Sequence, residues 1–144
     1  MNGKLATIFV ADDDPTLLKG LNRALSGRGY NVRTAPNGPA LLSLLETARP
    51  DLLVLDIMMP GMSGLEVLRR VKGDARWSEL PVMMVTALTD AEVTAAAWER
   101  GASDVIPKPF RLNDLVSRIE ARLNSGGRAQ RPVESRPTDG GRDE

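Results

Sequence analysis

The stretch DLLVLDIMMPGMSG, residues 51–64, contains the strongest structural signal in the chain. Four consecutive apolar residues, Leu52 to Leu55, lead directly into an acid, Asp56, and a Met-Met-Pro-Gly segment follows. A continuous apolar run of this length predicts a strand that is covered on both faces, as in the parallel sheet of an α/β protein. The stretch therefore predicts a buried strand that ends in a carboxylate.

Short apolar runs and amphipathic segments alternate on both sides of this stretch. The apolar runs predict strands at 5–11, 30–35, 51–56, 80–87 and 103–107. The amphipathic segments predict helices at 15–29, 39–48, 64–73, 90–101 and 111–123. Strands that alternate with helices form a parallel sheet with helices on both faces. We therefore predict a single α/β domain over residues 1–124.

The remaining residues, 125–144, differ from this domain in composition. They contain almost no apolar side chains and are rich in Gly, Pro, Arg and acids. Such a segment cannot bury enough apolar surface to offset the entropy of ordering it. We predict a disordered tail, or a linker to a further domain.

The composition excludes several functional classes. The chain has neither Cys nor His, which rules out disulfides, thiol catalysis, histidine-ligated zinc and a Ser-His-Asp triad. Its basic and acidic residues, 19 of each, give no net charge that would attract nucleic acid. No apolar run is long enough to cross a bilayer, and there is no signal-peptide pattern. We expect a cytoplasmic protein that binds neither nucleic acid nor membrane directly.

Polar residues are placed at the same end of several predicted strands. Asp12 and Asp13 follow the first strand, Asp56 ends the third, Thr86 lies near the end of the fourth, and Lys108 follows the fifth. Ligands of open parallel sheets bind beyond the carboxyl ends of the strands. The sequence therefore predicts that these side chains form one site.

The chemistry of this predicted site favours a metal ion and a phosphoryl group. Neighbouring carboxylates repel each other unless a divalent cation lies between them, and oxygen ligands alone favour Mg²⁺ or a similar hard cation such as Mn²⁺. A carboxylate such as Asp56 is a known type of phosphoryl acceptor, and a cation such as Lys108 stabilises the transferring group. The chain has no glycine-rich loop for ATP, so the donor must be another molecule.

Several of these residues, and the neighbouring Asp14, also have a purely structural interpretation. Asp12 and Asp13 are compatible with ordinary loop acids, although two adjacent acids close to Asp56 would repel each other. Asp14 before Pro15 is typical of a helix N-cap with proline at the first helical position. Thr86 is compatible with an ordinary β-branched strand residue, and Lys108 with a solvated surface lysine. The combination is far more specific than any one of its members.

Four segments resemble, in order and spacing, the receiver domain of bacterial two-component response regulators. They are FVADDDP (9–15), LLVLDIMMPGMSGLEVL (52–68), PVMMVTA (81–87) and GASDVIPKPF (101–110). The resemblance covers roughly residues 5–123. It implies a doubly wound, flavodoxin-like (βα)5 three-layer sandwich with strand order 2-1-3-4-5.

The resemblance also implies a role for each site residue. Asp56 would accept the phosphoryl group. Asp13, Asp56 and the backbone carbonyl of Met58 would bind Mg²⁺ directly, and Asp12 would act mostly through water. Thr86 and Lys108 would contact phosphoryl oxygens, Ala87 would leave space for the donor, and the Lys108–Pro109 bond would be cis. Pro60 and Gly64 would shape the loop that carries Met58, and Gly64 is equally compatible with the first residue of a helix.

The implied function is a phosphorylation-dependent switch, not a turnover enzyme. The donor would be a phosphohistidine of a sensor kinase or phosphotransfer protein, the output a contact with a downstream protein, and the domain would also hydrolyse its own phosphoryl group. The family usually has Tyr or Phe three residues before the lysine. Val105 occupies that position here, so a large aromatic switch is not expected.

The last helix resembles those of receivers that dimerise on phosphorylation through the fourth helix, fifth strand and fifth helix. Asp104, Asp114 and Arg118 lie where that subfamily uses charged pairs. The match is partial, because Thr94 occupies a position where a basic residue is common, and a solvated helix face is the favoured interpretation. Other functions remain open at this point. They are a receiver fragment of a larger regulator with a DNA-binding or enzymatic output domain, a degenerate scaffold, and a phosphohydrolase of the haloacid dehalogenase type.

Overall fold

Five parallel strands lie at the centre of the structure, a computed structural model that describes residues 6–87 and 91–124. They are β1 (Thr7–Ala11), β2 (Asn31–Ala35), β3 (Leu52–Asp56), β4 (Val82–Ala87) and β5 (Asp104–Lys108). All neighbouring pairs are parallel, and the order across the sheet is β2-β1-β3-β4-β5. This confirms the strand order that the resemblance implies.

Helices cover both faces of the sheet. They are α1 (Pro15–Ser26), α2 (Gly38–Leu45), α3 (Gly64–Lys72), α4 (Ala91–Glu99) and α5 (Leu112–Asn124). Side chains of α2, α3 and α4 pack on one face against strand residues such as Phe9 and Leu53. Side chains of α1 and α5 pack on the other face against the alternate residues, such as Ile8 and Leu52. The predicted doubly wound three-layer sandwich is confirmed.

The central strand β3 is buried at all five positions. Because β3 lies between β1 and β4, its backbone is hydrogen-bonded on both sides and its side chains are covered by both helical layers. A residue at the end of such a strand is held in a fixed position. Asp56 occupies this end.

Helix α1 begins where local chemistry predicts. Asp14 is its N-cap, and Asp14 Oδ1 accepts hydrogen bonds from the backbone N–H groups of Thr16 and Leu17 at 3.0 and 3.4 Å. The helix ends three residues earlier than the predicted Gly29, because Gly27 is its C-cap and Gly29 has a φ of 96°.

The fifth strand differs from its predicted position. It extends to Lys108, which was expected to follow the strand, and it includes Pro107. A proline is tolerated there because β5 is at the edge of the sheet, where one side of the strand needs no partner.

The predicted tail at 125–144 lies outside the described residues. Across 6–87 and 91–124, every helix is too short or too polar to cross a membrane.

Candidate metal and phosphorylation site

Three carboxylates meet at the carboxyl edge of the sheet. One oxygen from each of Asp12, Asp13 and Asp56 lies within 4.8 Å of the others. Asp12 and Asp56 are each only 3% exposed, whereas Asp13 is exposed. The structure therefore places two acids at the bottom of the site and one at its rim.

Asp12 is held by contacts on both of its carboxylate oxygens. Its Oδ1 accepts a hydrogen bond from the backbone N–H of Asp14 at 2.9 Å, and its Oδ2 accepts one from Lys108 Nζ at 3.2 Å. Its own backbone N–H donates to the carbonyl of Ala35 at the end of β2. Asp12 is therefore oriented by β2, by the start of α1 and by β5.

Asp56 is oriented by the loop that follows it. Asp56 Oδ1 accepts a hydrogen bond from the backbone N–H of Met58 at 3.2 Å. The loop itself is attached to the sheet, since the N–H of Ile57 donates to the carbonyl of Val85 at 2.9 Å. The Met58 side chain points outward and is 65% exposed.

Gly64 closes this loop against Asp56. Its backbone N–H donates to the carbonyl of Ile57 at 2.9 Å, and α3 starts at Gly64 with Ser63 as its N-cap. A Cβ atom at position 64 would lie 2.2 Å from the carbonyl oxygen of Asp56. The sequence predicted a loop-shaping or helix-starting glycine here. Only the structure shows that the strand end occupies the space of its missing side chain.

Lys108 connects the two buried acids. Its Nζ lies 3.2 Å from Asp12 Oδ2 and 3.5 Å from Asp56 Oδ2. Burial lowers the pKa of Lys108, but the attraction of Asp12 and Asp56 outweighs this effect, so its pKa is raised. Lys108 is therefore a protonated ammonium between two carboxylates, and the interpretation as a solvated surface lysine is wrong.

The electrostatics of Asp56 differ from those of an ordinary surface acid. Burial, and after it the charge of Asp12, raise the pKa of Asp56 to about 6, although Lys108 and the Met58 N–H act in the opposite direction. In the absence of a metal, Asp56 thus binds a proton more tightly than a free aspartate does. A divalent cation in the site would favour the ionised, nucleophilic form.

This balance predicts the effect of removing the ammonium. Replacing Lys108 by Met is expected to raise the pKa of Asp56 above 6, because the attraction that lowers it is lost while burial and the Asp12 charge remain. The pKa can be followed by ¹³C NMR of the Asp56 carboxyl carbon in metal-free protein. Lys19→Met, which removes an exposed lysine of α1, is the control. An unchanged or lower pKa in Lys108→Met would contradict this account.

Thr86 and Ala87 complete the edge next to Asp56. Thr86 is 4% exposed, and in the β4–β5 register it pairs with Pro107, whereas Ala87 pairs with Lys108. Val85, directly before Thr86, pairs with Asp56 across β3 and β4. The five predicted strand-end residues are therefore brought to one edge. The Lys108–Pro109 bond is cis, as the resemblance implies.

The residues fit a hard divalent cation by donor chemistry and by spacing. All three acids offer oxygen atoms, the ligands that Mg²⁺ prefers. One oxygen from each of the three acids lies within 4.8 Å of the others, so the three carboxylates are close enough for one cation to be held between them. The charges of Mg²⁺ and Lys108 together would also balance the three carboxylates.

Comparison with known proteins decides the family. The model of the response regulator receiver domain matches residues 8–120. The chain belongs to the response regulator receiver family. The receiver domain is 41% identical over 116 residues to the response regulator MprA of Mycobacterium tuberculosis, and 40% identical over 116 residues to the DNA-binding response regulator MtrA of Mycolicibacterium smegmatis.

The solved structures lead to the same family. The receiver domain of a signal transduction histidine kinase from Syntrophus aciditrophicus has a TM-score of 0.79 and 31% identity, over 88% of this chain and 96% of that one. The match to MprA, and likewise that to MtrA, covers 81% of this chain but only 50% of the relative. The chain thus spans about half the length of these curated relatives and matches their receiver portion.

Proposed function

We propose that this receiver domain accepts a phosphoryl group on Asp56, with Mg²⁺ or Mn²⁺ bound by Asp12, Asp13, Asp56 and the carbonyl of Met58. The observation that supports this most directly is the position of Asp56. It is a buried carboxylate with a raised pKa, within reach of two other acids and of the Lys108 ammonium. These are the groups that phosphoryl transfer to a carboxylate requires.

Each neighbouring residue has a defined part in the proposed reaction. A metal held by Asp12, Asp13 and Asp56 would supply positive charge for the phosphoryl oxygens. Lys108 neutralises a further oxygen, and the Met58 N–H keeps one Asp56 oxygen in place so that the other faces the donor. Ala87, at the exposed end of β4, leaves room for that donor.

The switch is proposed to pass through β4 and β5. The Thr86 hydroxyl would bind a phosphoryl oxygen after the reaction and draw the end of β4 inward. Val105 pairs with Met84 in the sheet and packs, like Val93 of α4, against the core on the α2–α3–α4 face. Since Val105 has no ring to move, the change would travel as a shift of α4 and β5.

Direct phosphorylation tests this function. Incubation with acetyl phosphate and Mg²⁺ is expected to add one phosphoryl group to the chain, detected by intact mass, and EDTA is expected to prevent it. Reduction with borohydride followed by peptide mapping locates the acyl phosphate, which we expect on Asp56. Absence of the modification at saturating donor would support the scaffold alternative, and turnover of phosphate esters would support the phosphohydrolase.

We also expect self-dephosphorylation to be slow. In receiver domains, the residues two positions after the phosphorylated aspartate and two positions after the conserved threonine influence how water reaches the acyl phosphate. These are Met58 and Leu88, both apolar; Leu88 lies outside the described residues. A lifetime of minutes or longer is expected when donor is removed and phosphoprotein is followed by mass. A half-life of seconds would contradict this prediction.

Partners follow from the family. Receiver domains of response regulators interact with histidine kinases and with downstream targets, and we propose a kinase or phosphotransfer phosphohistidine as the donor for Asp56.

A phosphorylation-dependent homodimer through α4, β5 and α5 is a further proposal. In the structure Arg118 Nη2 binds Asp104 Oδ1 of the same chain at 2.8 Å, while Asp114 is exposed. Such a dimer would have to exchange or extend this intrachain pair.

The output is proposed from the relatives. MtrA is a DNA-binding response regulator, and this chain spans 50% of it. A regulator in which this receiver controls a DNA-binding domain is therefore one candidate, and an output through protein contacts alone is the other. A receiver attached to a histidine kinase, as in the Syntrophus protein, is a third arrangement.

A further inference from the structure

A cavity of about 410 Å³ lies next to the acidic site. Its lining residues come from the β1–α1 connection and α1, from the end of β4, and from the end of β5 and the segment after it. They are Asp14, Leu17, Ala87, Lys108, Pro109 and Phe110. The cavity therefore lies beyond the carboxyl ends of β1, β4 and β5, at the same edge of the sheet as Asp56.

The cavity and the acidic site share Lys108. The same ammonium that lines the cavity lies 3.5 Å from Asp56 Oδ2. The other cavity residues, apart from Asp14, are apolar. Leu17 and Phe110 are only partly buried, although they pack against the core below α1 and α5. A molecule in the cavity would thus lie against the Lys108 ammonium, the Asp14 carboxylate and otherwise apolar side chains.

We propose that this cavity receives the apolar leaving group of the phosphoryl donor, so that aromatic acyl phosphates are better donors than acetyl phosphate. The proposal rests on the proposed phosphorylation of Asp56. Phosphoryl transfer is approximately in line, so the leaving group lies beyond the phosphorus as seen from Asp56. An aromatic ring attached there would be removed from water against Leu17 and Phe110.

The reaction with benzoyl phosphate balances without a further reactant. An Asp56 carboxylate oxygen forms a bond to phosphorus, and the bond between phosphorus and the benzoate oxygen breaks. The products are the aspartyl phosphate and benzoate, and no proton is transferred. Lys108 would attract the departing carboxylate, whereas Asp14, whose Oδ1 already accepts hydrogen bonds from Thr16 and Leu17, would repel it.

The test compares two donors in three proteins. Phosphorylation rate constants with benzoyl phosphate and with acetyl phosphate are measured by intact mass in the wild type, in Leu17→Gln and in Leu18→Gln. Leu18 is the matched control, because it also lies on α1 and packs against the same core but does not line the cavity. We expect the benzoyl-to-acetyl ratio to fall about fivefold in Leu17→Gln, which corresponds to about 1 kcal/mol, and to stay unchanged in Leu18→Gln.

A second variant and a binding measurement distinguish a lost contact in the cavity from a misfolded protein. Leu17→Ala keeps the cavity apolar but removes contact area, and a partial fall in the ratio is expected. In ¹H–¹⁵N NMR spectra of the wild type, benzoate is expected to shift the signals of Leu17 and Phe110. A ratio near one in the wild type, or equal ratios in all variants while acetyl phosphate still modifies Asp56, would overturn the cavity proposal alone. Failure of both donors would overturn the proposed function and with it this inference.

Discussion

Replacement of Asp56 by Asn is expected to abolish phosphorylation by acetyl phosphate and, at the same time, to stabilise the metal-free domain. The amide cannot act as the nucleophile, so no phosphoryl group is added. Its size and its Oδ1 acceptor allow the hydrogen bond from the Met58 N–H to remain. The substitution is therefore expected to remove phosphorylation and, independently, to raise the free energy of unfolding.

The gain in stability follows from the pKa of Asp56. The folded protein holds this pKa at about 6, above the value of 3.8 for an unperturbed aspartate, chiefly because the carboxylate is buried. Between these two values the folded state binds more protons than the unfolded state, so stability falls as the pH rises. Well above pH 6, Asp56 is ionised in the folded protein and the full free-energy cost of burying its charge is present. Asn carries no charge and avoids this cost. The shift from 3.8 to about 6 corresponds to about 3 kcal/mol, so we expect a stabilisation of up to this size at pH 7.5.

Urea unfolding in EDTA at several pH values measures this effect. The free energy of unfolding of Asp56→Asn should exceed that of the wild type at pH 7.5, and the difference should narrow toward pH 4.5. Asp51→Asn is the matched control, since Asp51 directly precedes β3 but is exposed. It should be phosphorylated like the wild type. Equal stabilities of Asp56→Asn and the wild type at pH 7.5 would refute the burial argument.

The second large effect is expected for Gly64→Ala. The added Cβ would lie 2.2 Å from the Asp56 carbonyl oxygen, 2.8 Å from Ile57 Cα and 2.9 Å from the Asp56 carbonyl carbon. All three are backbone atoms, and two belong to the residue that carries the proposed nucleophile. They cannot move without displacing the end of β3 or the start of α3. We expect a loss of about 3 kcal/mol or more, at the upper end for overpacking, together with slower phosphorylation.

Gly20→Ala provides the contrast within the same chain. Gly20 lies inside α1, and a Cβ there would meet only the side chain of Leu112, at an ordinary contact distance of 3.6 Å. Alanine is the better helix former, so this change should be neutral or stabilise the domain by up to about 1 kcal/mol. Thermal unfolding and the acetyl phosphate assay compare both variants. A Gly64→Ala protein with wild-type stability and phosphorylation rate would show that the strand end tolerates displacement.

Features that depend on neighbouring residues in the chain were predictable. The continuous apolar run of β3 indicated a strand covered on both faces, and Asp14 before Pro15 indicated the start of α1. The alternation of strands and helices indicated the α/β class. Because the carboxyl ends of parallel strands share one edge, it also indicated which side chains would lie near each other.

Other features required the tertiary structure, because they depend on atoms that are distant in sequence. Whether Lys108 is solvated or paired is decided by Asp12, 96 positions away. The pairing of Arg118 with Asp104 and the close approach of Gly64 to Asp56 likewise arise only after the layers have packed.

The chain by itself thus determined the order of the elements and the identity of the groups at the sheet edge, since hydrophobic periodicity is a local property and alternating strands and helices favour parallel strands whose carboxyl ends share one edge. The packed structure alone decided that Asp12 and Asp56 are buried while Asp13 is exposed, and that the pKa of Asp56 is raised. Desolvation and charge–charge interaction depend on distances through space, and folding sets those distances.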